Sequence, residues 1–175
     1  MPPPTLHGAG VILSAPEAAD HAPLLALYTA NEGTLNIPSP YTAPDGDAYL
    51  AAAARSEGGH IWAIRAADGA ELIGTVALRF SPGARTADLG GIAVAEEYRG
   101  TGLATRAAAL VIQHAWDAGF DAVEWECLAH NEASVALARR LGFAFYREGV
   151  SSSSFERYRG APAVWGLLRR PGPLP

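Results

Sequence analysis

A glycine-bearing loop set between a strand and a helix, in the stretch Leu89 to Ala104, constrains this chain more than any other segment. Leu89 to Ala95 reads as a strand, Glu96 to Tyr98 as a charged turn and Arg99 to Gly102 as a loop, with a helix opening at about Leu103. A Gly-x-Gly loop that runs into a helix presents free backbone N–H groups at the positive end of the helix dipole. That arrangement binds anions, most often a phosphate or pyrophosphate. The remaining segments have to support this site or supply what reacts beside it.

Before the loop, Val11 to Leu13 reads as a short strand, and Ser14-Ala-Pro-Glu17 as a capping box opening a helix to about Ala30. Ala18, Ala22, Leu25 and Tyr28 would form its inner stripe, but Pro23 argues for a kink or a later start capped by Asp20. Asn31 to Asp47 carries Gly33, Pro38, Pro40, Pro44 and Gly46 and reads as an irregular loop, followed by a helix from Gly46 or Asp47 to Arg55. His60 to Arg65 and Glu71 to Phe80 are expected strands joined at Asp68-Gly69, and Leu89 to Ala95 completes an antiparallel meander. Gly90-Gly91 inside that strand signals a bulge or a close backbone approach.

After the loop come a helix ending at Gly119, a strand over Ala122 to Leu128 and a helix capped by Asn131 and ending at Leu141-Gly142. Strands over Phe143 to Val150 and Ala163 to Leu168 follow. The order β-α-α-β-β-β-α-β-α-β-β describes an α/β (α+β) mixed sheet with helices on both faces. It forms a single domain over residues 1–175, with its core at about 11–169 and loose termini.

Composition excludes several functions. With 49% apolar and 18% charged residues, the chain is globular, and no apolar run is long enough to span a membrane. Its start resembles no secretory leader, so a soluble cytoplasmic protein is expected. A net charge of −5 disfavours nucleic acid as a partner and suits a protonated amine. All thirteen basic residues are arginine, which rules out a lysine Schiff base and the lysine-bearing phosphate loop. Cys127 is the only cysteine and the five histidines lack ligand spacing, so no disulfide and no metal are expected.

Arg99-Gly-Thr-Gly-Leu-Ala104, behind the strand Leu89-x-x-Ile-Ala-Val94, resembles the pyrophosphate loop of the GNAT acyltransferase superfamily. Asn131-Glu-Ala-Ser134 with Leu141-Gly-Phe143, and Leu72-Ile-Gly-Thr-Val76, resemble its ribosomal-protein-alanine N-acetyltransferase branch. The resemblance spans roughly Val11 to Arg169. It implies an N-acetyltransferase with acetyl-CoA as cosubstrate, a small-molecule or peptide amine as acceptor, and a monomer or homodimer. The pyrophosphate would lie on Arg99, Gly100, Thr101, Gly102, Leu103 and Ala104. The pantetheine arm would lie along the backbone of Ile92, Ala93 and Val94, with one N–H there holding the thioester carbonyl and the Asn131 side chain touching the arm.

Direct attack by an amine needs a neutral nucleophile, a stabilised oxyanion and a proton for the leaving thiolate. Much of the superfamily supplies that proton from a tyrosine whose position here is Ala138. Ser134, on the same helical face as Leu137, Ala138 and Leu141, is the candidate acid, against the simpler role of bonding the Asn131 cap. Glu126, Glu124 and Asp88 are the candidate bases, with Glu124 and Glu126 sharing one strand face; a water-mediated base is the alternative. Tyr146 and Tyr158 read as packing or pocket residues, His114 as a helix-face residue, His130 as surface, and Cys127, Trp116 and Trp125 as core. Two other functions compete: a non-catalytic acyl-CoA-binding protein on the same fold, and a dinucleotide-binding enzyme, for which Thr105 stands where a third glycine belongs. The acceptor pocket is expected between Asn31 to Asp47 and Ser151 to Pro162.

Overall fold

A computed structural model of the chain describes residues 2–35, 37–66 and 69–172. The expected Asp68-Gly69 turn falls partly outside these, as do the last three residues of the expected loose end. Eight strands form one sheet: β1 (Leu6–Gly8), β2 (Val11–Ser14), β3 (Gly59–Ala66), β4 (Gly74–Arg79), β5 (Thr86–Val94), β6 (Ala122–Leu128), β7 (Ala144–Val150) and β8 (Pro162–Arg169). Their order is β1-β2-β3-β4-β5-β6-β8-β7, antiparallel throughout except for the parallel β5–β6 pair. Among the described residues four α-helices pack on it: α1 (His21–Thr29), α2 (Ala43–Arg55), α3 (Leu103–Asp117) and α4 (Glu132–Arg140). The mixed α/β architecture is the one the sequence led us to expect.

Alternation along the strands divides the core in two. Trp62, Ile64 and Val94 face α3 and α4, where Leu103, Ala107, Val111, Ala115 and Ala138 fill the space. Their neighbours Ala63 and Ala93 face the other way, against Leu24, Leu27 and Tyr28 of α1. Small residues on this second face let α1 lie close to the sheet.

Three local expectations are corrected. Ser14 ends β2 and caps no helix, because Arg65 Nε on the adjacent strand donates to its hydroxyl at 2.8 Å. The chain instead forms a capping box between Glu17 and Asp20 around a short 3-10 turn, and α1 starts at His21, the later start that Pro23 suggested. Its buried residues are accordingly Leu24, Leu27 and Tyr28, not the Ala18, Ala22 and Leu25 stripe. Next, α2 begins earlier than expected, capped by a Thr42–Asp45 box with Pro44 in its first turn. Lastly, the chain start is tied to the core: β1 pairs with β2, and the Trp62 indole N–H donates to the Pro4 carbonyl at 2.8 Å.

Arg65 and Asp20 form a buried bidentate pair at 2.8 and 2.7 Å that locks the turn before α1 onto β3.

Candidate active site

The parallel pairing of β5 with β6 covers Thr86 to Asp88 and Ala122 to Glu124, and the two strands then part. The remainder of β5 pairs with β4 on one side and borders an open wedge on the other. This wedge is the floor of a cleft of about 1660 Å³. Every residue expected in the site lines it: Asp88, Ile92, Ala93 and Val94 on β5, Arg99 to Ala104 in the loop, Glu126 on β6, and Asn131 and Ser134 at the start of α4.

At one end the loop takes the form its glycines allow. Gly100 and Gly102 adopt φ of 74° and 78°, in the left-handed region that other residues avoid. Gly102 is the N-cap of α3, and no side chain caps that helix, so its first N–H groups face the cleft without a side-chain partner. Arg99 donates to the Asn31 side chain at 3.0 Å. Two arginines that sequence reading passed over join this end of the cleft. Arg106 donates from Nη1 to the Thr101 carbonyl at 2.8 Å, while its Nε is buried with no partner among the described residues. Arg140, in the last turn of α4, contacts Thr105 at 3.4 Å and lines the cleft. An uncapped helix N-terminus beside an orphaned guanidinium N–H fits a polyphosphate. Arg106 was detectable as the residue one turn into α3 on the face of Gly102.

Asn131 caps α4 as expected, its Oδ1 accepting from the Ser134 N–H at 3.1 Å, and its amide nitrogen donates to the Thr34 carbonyl at 3.3 Å. The Ser134 hydroxyl has a second neighbour: Trp125 on β6 donates its indole N–H to Ser134 Oγ at 3.1 Å. An indole can only donate, so that contact occupies an oxygen lone pair and does not draw on the Ser134 proton. Trp125 is thus a core residue, as expected, with a polar end in the site. Cys127 is half-buried on the same wall. Burial pushes its thiol above the usual range, opposed by hydrogen bonding to Ser134 and Trp125.

The three carboxylates converge on the cleft with different partners. Asp88 accepts two hydrogen bonds from Arg79 on Oδ1, one of them 2.7 Å long. Burial pushes its carboxyl above the ordinary value; Arg79 opposes this, and the Glu124 and Glu126 charges add to it. Asp88 and Glu124 lie directly opposite one another across the β5–β6 pair. Glu124 accepts from the Tyr146 hydroxyl, and Tyr146 itself is exposed. Glu126 accepts on both oxygens, from the Ser152 N–H at 2.9 Å and the Ser152 hydroxyl at 2.6 Å, with Ser151 Oγ at 3.5 Å. Glu126 therefore holds the serine loop against β6.

Above the wedge, two loops far apart in sequence meet. The buried Tyr158 donates its hydroxyl to the Glu32 carbonyl, and Arg157 reaches Ser39 at 3.2 Å. Glu32 in turn accepts from the Tyr41 N–H and the Ser39 hydroxyl, and these bonds hold its carboxyl below the ordinary value. Of the histidines, His114 packs against Trp62 and His60 and is not among the residues lining the cleft, and His130 is exposed. Among the described residues no cluster of three or more His, Cys, Asp or Glu side chains is grouped to hold a metal.

Residues 11–144 match the family model of the acetyltransferase (GNAT) domain, and the chain belongs to that family. Solved structures with the same fold include one described as a probable acetyltransferase (GNAT family) from Chromobacterium violaceum, 23% identical, with a TM-score of 0.83 over 97% of this chain and 88% of that one. They also include RimL, a ribosomal L7/L12 alpha-N-protein acetyltransferase in complex with coenzyme A (16%, TM-score 0.81, 95% and 98%). A third is the microcin C7 self-immunity acetyltransferase MccE with acetyl-CoA and AMP (17%, TM-score 0.79, 93% and 94%). No curated protein matches the sequence. Among the described residues no helix is long and apolar enough to cross a membrane.

Proposed function

We propose that the chain works as a single N-acetyltransferase domain that moves an acetyl group from acetyl-CoA to a primary amine by direct attack. The observation that carries this reading is the wedge between β5 and β6, with an anion loop at one end and the Ser134 hydroxyl, oriented by Trp125, at its wall. The pyrophosphate is held by the N–H groups of Gly100 to Ala104 with Arg99 and Arg106, and the pantetheine arm lies along Ile92 to Val94. The thioester carbonyl faces a β5 N–H, and Ser134 protonates the departing thiolate. The coenzyme A complexes of RimL and MccE support a donor of this class.

Asp88 is the proton acceptor that the surroundings favour. Its carboxyl is raised by burial and lies on the cleft wall, whereas both Glu126 oxygens are committed to the serine loop. The acceptor lies beneath residues 31–42 and 151–161, which the Tyr158–Glu32 and Arg157–Ser39 contacts join into a roof. Three carboxylates beneath that roof suit a protonated amine, either a peptide N-terminus or a small molecule. The protein is a cytoplasmic enzyme in this reading.

The test is thiol release from acetyl-CoA across an amine panel that includes N-terminal peptides. Ser134→Ala and Asp88→Asn should each slow turnover, and Glu126→Gln should chiefly raise the KM for the amine. Coenzyme A binding without release of thiol on any amine would favour a non-catalytic acyl-CoA-binding protein.

A further inference from the structure

Thr75 is a fully buried polar residue at the point where β4 and β5 fall out of step. The register passes from Thr75↔Ala93 to Ala77↔Gly90, so two positions on β4 are matched by three on β5. Strand β5 therefore carries one extra residue, and Gly91, at φ 60°, takes up the change of direction. A bulge of this kind removes a carbonyl from the regular ladder. Here the Gly91 carbonyl accepts from Thr75 Oγ1 at 3.0 Å.

The same hydroxyl lies 3.1 Å from the Tyr28 hydroxyl on α1. A threonine has a single O–H proton, and Thr75 gives it to Gly91, so Tyr28 is the donor in the second contact. Tyr28 is buried as well, with its ring edge-on against Tyr41 and Tyr49. Burial raises the Tyr28 phenol above its ordinary value and keeps that donor protonated. The chain Tyr28–Thr75–Gly91 thus has a fixed direction and a rigid base.

A trans peptide points its C=O and N–H in opposite directions. With the Gly91 carbonyl drawn toward β4 and α1, the N–H of the next residue, Ile92, is turned to the other side of β5, where the wedge opens. We infer that Thr75, backed by Tyr28, is a positioning residue for acyl transfer, holding the Gly91–Ile92 peptide so that the Ile92 N–H faces the thioester carbonyl. This rests on the acyl-transfer reading above. Thr75 itself touches no part of the donor. A donor N–H aimed in advance strengthens as charge grows on the carbonyl oxygen, so its effect falls on kcat more than on donor affinity.

Thr75→Val removes the hydroxyl and keeps the shape, and Thr75→Ser restores the hydroxyl. In the valine variant kcat should fall about tenfold or more, short of the roughly 10²–10³ seen when an oxyanion donor is deleted outright. Its dissociation constant for acetyl-CoA should stay within about twofold of the parent, and the serine variant should recover most of the turnover. A second readout needs no acceptor: the infrared stretch of ¹³C-labelled acetyl-CoA bound to the protein. In the parent the thioester carbonyl band should move to lower wavenumber than in free acetyl-CoA, and in Thr75→Val it should return toward the free position. A parent that binds acetyl-CoA with no shift, or a valine variant with parental kcat and band, overturns the proposal. If Thr75→Val does not fold, Tyr28→Phe removes the back-up donor and should move the band part of the way; an unmoved band is again a refutation. No binding of acetyl-CoA by the parent would refute the acyl-transfer reading and remove the proposal with it.

Discussion

Gly74 opens β4 beside the strand on which the donor is proposed to lie, and replacing it with alanine should disturb that strand by a calculable amount. A Cβ at Gly74 would sit 2.5 Å from the Ala93 carbonyl oxygen and 3.1 Å from Ile64 Cδ1. The isoleucine methyl can swing aside, but the carbonyl belongs to the backbone of β5. Restoring ordinary contact at 3.4 Å displaces it by about 0.9 Å, the difference of the two distances. Overpacking of this kind costs about 1–3 kcal/mol, read from the urea midpoint. A shift of about 1 Å in a group that orients the reaction can lower turnover on the order of 10²-fold. Gly74→Ala should therefore lose on the order of 10²-fold in kcat at saturating acetyl-CoA in the thiol-release assay, while remaining folded. A variant with parental stability and parental kcat would refute the reasoning, because β5 would then be free to move without consequence for the reaction.

Ser134→Ala should lower kcat by about 10²-fold, the lower end of what a general acid contributes, with unchanged coenzyme A affinity by calorimetry. Trp125→Phe should lower kcat in the parent and add nothing in the Ser134→Ala background, a cycle that isolates the indole–hydroxyl bond. Asp20→Ala leaves the buried Arg65 guanidinium without its carboxylate and should cost about 3–5 kcal/mol in urea unfolding; Asp20→Leu with Arg65→Met should recover most of the loss. His60 and His114 are both held below the ordinary histidine value, chiefly by burial. The His114 and N-terminal charges add to this for His60, and Asp117 opposes it for His114. A depressed histidine contributes stability that is complete above about pH 6.5, its unfolded value, and is lost as the pH falls through the folded one. The urea midpoint should accordingly drop between pH 7 and pH 5, and the drop should shrink in His60→Phe.

The local geometry of the loop end of the cleft was readable because glycine and backbone geometry leave local marks. Gly100 and Gly102 announce left-handed positions, Gly90-Gly91 announces a bulge, and Asn131 announces a cap, each within a few residues of what it controls. The roof is built from contacts with no local pattern. Tyr158 reaches Glu32 across 126 positions and Arg157 reaches Ser39 across 118, and nothing near either residue marks them as a roof. The start of α1 was misread for a related reason. Ser14-Ala-Pro-Glu17 is a sound local box, but Arg65, 51 positions away, recruits the serine hydroxyl into a buried network and leaves the capping to Glu17 and Asp20. Trp125 shows a third limit. Strand alternation placed its ring in the core, yet where the indole N–H points depends on the neighbouring helix.

The sheet order β6-β8-β7 has a consequence for how the enzyme is made. Strand β8 lies between β6 and β7 and pairs with both along nearly its whole length, so β7 has no seat on the sheet until β8 exists. The anion loop, both strands of the wedge and Ser134 all precede the end of α4, and so leave the ribosome before the serine loop does. The serine loop and Tyr158, however, hang between two strands that must dock together. A nascent chain paused before Pro162 would already hold the loop, the wedge and Ser134, and would lack a roof. It would carry one end of the cleft complete and the other still open to solvent.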